Sequence, residues 1–111
     1  MLYVDEKDHS IKLTRGDTAR FNVDIVSSIS GENYAIQSED TLTMTVKKSV
    51  KDDVFCFQKT VTGSTSLHVE PNDTKTLPFG KYVYDVQLNT ANGDVYTIIE
   101  PASFEVLKEV T

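Results

Sequence analysis

Apolar and polar residues alternate along much of this chain, most plainly near its end. From Lys81, the residues Tyr82, Tyr84, Val86 and Leu88 fall on one side, and Lys81, Val83, Asp85, Gln87 and Asn89 on the other. Successive strand side chains point to opposite faces, so this spacing predicts a strand with one face buried. The run stops at Thr90-Ala91-Asn92-Gly93-Asp94. Asn-Gly predicts a hairpin with a type I′ turn, in which both central residues have positive φ. The chain returns through Val95 to Ile99. Pro101 lacks a ladder donor and predicts a bulge, an edge or a switch of strand. A last strand then runs over Ala102–Leu107, with Phe104 and Val106 on one face.

The same period marks the chain upstream. Leu2–Val4 reads as a short strand, and Ile11 and Leu13 alternate with Ser10, Lys12 and Thr14. Arg15-Gly16-Asp17 reads as a turn, since Gly and Asp are turn formers; that takes precedence over reading the tripeptide as an integrin ligand. Thr18–Val26 places Ala19, Phe21, Val23 and Ile25 together. Thr41–Lys48 directs Leu42, Met44 and Val46 inward, and Lys47–Asp53 is a charged connection. Val54–Thr62 is a further strand of ambiguous register, because Val54, Phe55, Cys56 and Phe57 are all apolar. Gly63–Thr65 turns the chain, and Leu67 and Val69 point inward with His68 outward. Asn72–Leu77 is one helical turn at most, capped by Asn72 or Asp73 and stopped by Pro78. Gly80 is suited to a left-handed turn into the next strand.

Seven to nine short strands without an amphipathic helix predict an all-β fold, an immunoglobulin-like antiparallel β-sandwich. At 111 residues the chain is one domain, 1–111. The Cys…Trp…Cys framework of antibody domains is missing, for there is one cysteine and no tryptophan.

Charge narrows the partners. A net charge of −6 disfavours nucleic acid and anionic membranes. No apolar run approaches the ~18 residues of a membrane span. The start, MLYVDEKDHS, lacks the basic and apolar regions of a secretory signal, which predicts a protein made in a reducing cytoplasm. Cys56 reads as a small buried hydrophobe rather than a nucleophile. Neither His9 nor His68 has a second ligand at metal spacing. Asp5, Glu6, Asp8, Asp52 and Asp53 read as solvated charge rather than a calcium site. Tyr82 and Tyr84 share parity with Val86 and Leu88 and so belong to the core; Tyr34 and Tyr96 are better placed to stack on a sugar. No catalytic, cofactor-binding or metal residues are assigned.

The polar stretch Ser27–Asp40, with Tyr34 and Ile36 reaching toward the core, is the longest loop and the natural place for recognition. Its candidate contact residues are Ser28, Gly31, Glu32, Asn33 and Tyr34.

Three blocks, IKLTRGDTARF at Ile11–Phe21, LTMTVKKS at Leu42–Ser49 and the Asp73–Val106 segment ending in Phe-Glu-Val, resemble a family of small β-sandwich domains encoded among phage and prophage tail genes. Those domains are similar to the N-terminal, virion-anchoring domain of the baseplate upper protein. The resemblance implies a non-enzymatic virion component, located in the phage tail or in the bacterial cytoplasm before assembly. Its implied partners are other tail or baseplate proteins and further copies of itself. The alternative is a carbohydrate-binding or adhesion module that recognises host-surface glycans.

Overall fold

The computed structural model describes residues 2–4, 8–26 and 32–110. Eight strands and one helical turn follow each other in these residues. They are β1 (Leu2–Val4), β2 (Ile11–Thr14), β3 (Ala19–Asn22), β4 (Thr41–Lys47), β5 (Phe57–Thr62), β6 (Ser66–Val69), α1 (Pro71–Thr74), β7 (Gly80–Asn89) and β8 (Val95–Leu107). The all-β expectation holds. Six strands form one sheet in the order β1-β2-β8-β7-β4-β5, and β3 pairs with β6 in a second, two-stranded sheet. One pairing departs from the predicted antiparallel arrangement. β2 runs parallel to β8, from Ile11 opposite Phe104 to Thr14 opposite Leu107, so the large sheet is mixed. Strands so far apart in the chain are not joined by a hairpin, and nothing local dictates their direction.

Alternation directs the core. Leu42, Met44 and Val46 of β4 and Val86 of β7 are fully buried, and Tyr82, Tyr84 and Leu88 of β7 are buried with them. From the small sheet Ala19, Leu67 and Val69 enter the same core, followed by Val23 and Ile25 beyond the end of β3. Phe104 sits at the centre with its ring edge-on to Phe57 and Tyr84, centroids 5.9 and 6.2 Å away. Each such side chain, once buried, contributes roughly 1.5–3 kcal/mol of transfer free energy. Tyr84 keeps its hydroxyl satisfied by donating to the carbonyl of His9.

Several local expectations are corrected. The β7–β8 hairpin is not a type I′ turn. Thr90 and Asp94 close a three-residue loop: the Thr90 amide donates to the Asp94 carbonyl and the Gly93 amide to the Thr90 carbonyl, both at 2.9 Å. Gly93 alone in that loop has positive φ, +89°. This is the type I turn followed by a left-handed residue that three-residue hairpin loops favour. Pro101 does sit at a bulge, but it does not divide the chain into two strands. Tyr84 pairs with Ala102 and Val86 with Ile99, so the stretch opposite Asp85 holds an extra residue. That extra residue inverts the parity of β8, which is how Ile99 and Phe104 both face inward. β5 begins at Phe57 rather than Val54. Phe57 pairs with Val46 and takes the core position. Its neighbour Cys56 is therefore exposed and not a buried hydrophobe. β3 ends at Asn22, earlier than the pattern predicts. The cap of α1 is Glu70, with Pro71 opening the helix and the Asp73 carboxylate accepting from the Glu70 amide at 2.7 Å.

Candidate functional site

At one end of the molecule, β4 begins, β7 turns into β8, and the loop carrying the candidate contact residues arrives. Glu32 and Asn33 are exposed there, and Asn33 forms an isolated bridge with Val26. The Tyr34 amide donates to the Ile25 carbonyl at 2.8 Å. Ser28 and Gly31 lie outside the described residues. Both Tyr34 and Ile36 pack partly against the core, as their pattern predicts.

One residue stitches this end together, and no sequence signal marks it. Asp40 is 1% exposed. One carboxylate oxygen accepts from the Tyr34 hydroxyl at 2.5 Å and the Gln37 amide at 2.9 Å; the other accepts from the Ala91 amide at 3.1 Å. The Asp40 carbonyl accepts from the Gly63 amide at 2.8 Å. Three loops are thus tied to one side chain and its backbone. Gly63 has φ +67°, and a Cβ there would meet the Ser38 carbonyl at 3.0 Å, so glycine is required. The Tyr34 hydroxyl, followed by the backbone amides, holds the Asp40 carboxyl below its ordinary pKa, and the same bond raises that of Tyr34. A charged Ser-Glu-Asp run reads as solvated surface until the hairpin, 51 residues on, brings an amide to it.

The opposite end is tied by a cation. Arg15 donates to both carboxylate oxygens of Glu109, at 3.0 and 2.6 Å, and to the Leu77 carbonyl at 3.2 Å. Its guanidinium lies 4.1 Å from the centre of the Phe79 ring. The neighbouring Gly16 amide donates to the hydroxyl of Thr74, which is fully buried. Arg15-Gly16-Asp17 is therefore a structural turn that docks α1 and the last residues. Around it lies an open cleft of about 700 Å³, lined by Asp17, Lys75, Lys108 and Val110 among others.

Chemistry elsewhere is sparse. Partial burial is the main cause raising the pKa of the exposed Cys56 thiol, with Asp52 adding to it, the reverse of what activates a nucleophile. His68 points outward, as predicted, near the Ser66 hydroxyl at 3.3 Å. Among the described residues no three or more His, Cys, Asp or Glu side chains gather as a metal site; Asp5 and Glu6 lie outside those residues. Among them, too, no helix is long and apolar enough to cross a membrane. Tyr96 is 53% exposed beside the hairpin whose Ala91 amide donates to Asp40, and Asp40 also accepts from Tyr34, so the two predicted sugar-stacking residues share one end of the molecule. Against models of protein families and against curated proteins, the chain has no match.

Proposed function

We propose that this protein is a non-enzymatic structural component of a phage or prophage tail, an immunoglobulin-like module that assembles by protein–protein contact. The immunoglobulin-like reading draws support from the strand order. β8-β7-β4-β5 with β2 along β8 follows the connectivity of the larger sheet of a variable-type domain, and β3–β6 follows the central pair of its other sheet. The resemblance of the Asp73–Val106 block supplies the setting. Recognition is carried by the loop that Asp40 braces, because a rigid mount lets exposed Glu32 and Asn33 meet a partner at little ordering cost. Partners are other tail or baseplate proteins and, in a symmetric particle, further copies of this chain. The acidic surface disfavours nucleic acid and anionic membrane. In this reading the protein resides in the virion, and in the bacterial cytoplasm before assembly.

Mass spectrometry of particles purified after prophage induction tests this reading. Stoichiometric recovery with tail proteins is expected; recovery in the soluble lysate alone would overturn it. The placing of Tyr34 and the exposed Tyr96 at the same end of the molecule favours a second reading, a glycan-binding module. Binding on a glycan array that is lost in Tyr96→Ala would support it.

A further inference from the structure

Among the described residues the small sheet has an open side. Among the described residues β3 pairs only with β6. The Val23 amide points toward β6, donating to the Thr65 carbonyl at 2.9 Å. Backbone groups of alternate strand residues point to opposite edges, so the amides and carbonyls of Asn22 and Asp24 point the other way. On the first half of β8, Thr97, Ile98 and Ile99 line the same groove as Asn22 and Asp24. β2 covers β8 only from Phe104 to Leu107, and from Val95 to Ile99 β8 is laddered on its β7 side alone among the described residues. Between these two unpaired edges runs a groove of about 740 Å³, lined by Asn22, Asp24, Val26, Tyr84, Thr97 and Ile99 among others. Val26, Val95 and Tyr96, at or beside it, are all more than half exposed. Unpaired strand edges beside apolar surface are a template for another strand.

We propose that this groove accepts an extended segment of a partner protein, which lies along β3 as a third strand of the small sheet. The claim rests on the protein–protein reading above and adds a second contact beside the braced loop. From Arg20 to Val26 the edge spans roughly 20 Å at ~3.3 Å per residue, enough for about six residues of the incoming segment. Charge selects its chemistry. Asp24 lines the groove, and no Lys or Arg does among the described residues. A second copy would bring a further net charge of −6 to an acidic molecule. The occupant is therefore a segment of a different protein, with apolar side chains alternating with polar ones and a Lys or Arg near Asp24. The outer edge of β5, unpaired among the described residues, is a poorer acceptor, since its Lys59 is engaged by Asp73 of α1 at 3.0 Å.

The test uses a synthetic nonapeptide in which Val alternates with Lys and Thr, and the same peptide N-methylated at every second amide. Titration followed by amide hydrogen exchange should show binding of the first peptide only, with protection at the Asn22 and Asp24 amides. Asn22→Pro, which removes one of those donors, and Asp24→Lys, a change to an exposed side chain, should each weaken binding at least tenfold. Four outcomes would overturn the proposal: no binding, equal binding of the methylated peptide, protection at the outward-pointing Gln58 and Thr60 amides of β5 instead, or sedimentation showing a dimer that Asn22→Pro dissociates. Particle mass spectrometry reads the parent hypothesis separately. Recovery in virions with no protection at Asn22 would discard the groove and leave the tail assignment standing.

Discussion

The two ends of the molecule are each tied by one charged residue, and they are built on opposite physical terms. Asp40 is almost wholly buried and satisfied by one hydroxyl and two backbone amides. Arg15 keeps a quarter of its side chain exposed and works through an ion pair with Glu109, whose own side chain is 30% exposed. A buried carboxylate held by neutral donors leaves those donors stranded when it is lost. An exposed ion pair leaves its members to water. The Asp40 end should therefore be brittle and indifferent to salt, and the Arg15 end forgiving and salt-sensitive.

The largest effect is expected at Asp40. Asp40→Ala removes the acceptor of three donors at once and should lower the melting temperature by on the order of 10 °C. The loss should be nearly the same in low and high salt. A fall of only a degree or two in thermal melts would show that water replaces the carboxylate and would erase the contrast. The same residue gives a pH signature. Its folded pKa is depressed below the unfolded value, chiefly by the Tyr34 hydroxyl. A depressed carboxyl contributes stability that is present above the unfolded pKa, about 3.9, and is lost as pH falls through the folded one. Tyr34→Phe should therefore shrink the stability lost below about pH 4, measured by acid titration of the folded fraction.

The core between the two ends sets a scale for both. Val86→Ala should cost about 1–3 kcal/mol through lost burial and a small cavity, whereas Gln87→Ala, one residue on and facing the other side, should be near neutral. Urea unfolding measures both. The opposite ranking would contradict the observed facing of β7, in which Val86 is fully buried.

That facing was legible in the sequence because period-2 alternation needs no distant information. Leu42, Met44 and Val46, and Tyr82 through Leu88, face as their spacing predicts. Pattern failed where it was degenerate. Val54-Phe55-Cys56-Phe57 is compatible with two registers, and the pairing of Phe57 with Val46 decides between them. It failed again where the deciding partner is remote, as for the Ala91 amide on Asp40 and the Glu109 carboxylate on Arg15. The parallel pairing of β2 with β8 belongs to the same class. Of the candidate loop, Tyr34 was legible as a residue that touches the core, but the brace that makes the loop a rigid mount was not.

The smaller effect belongs to the other end. Glu109→Gln keeps the size of the side chain and removes its charge. Arg15 retains the Leu77 carbonyl and the face of Phe79, so the guanidinium is not abandoned. The expected outcome is a decrease of a few degrees at most in low salt, shrinking toward zero near 1 M salt, where the Debye length is about 3 Å. Glu109 is itself held below its ordinary pKa, first by the hydrogen bond from Arg15. Its contribution is therefore present above the unfolded value of about 4.3 and lost as pH falls through the depressed one, so wild type and Glu109→Gln should converge in acid. Melts at two salt concentrations and two pH values measure all of this. A Glu109→Gln loss as large as that of Asp40→Ala, and unmoved by salt, would mean that the pair acts as a buried tie despite its exposure. The two ends would then be equivalent, and the exposure of a charge would be a poor guide to its worth in this fold.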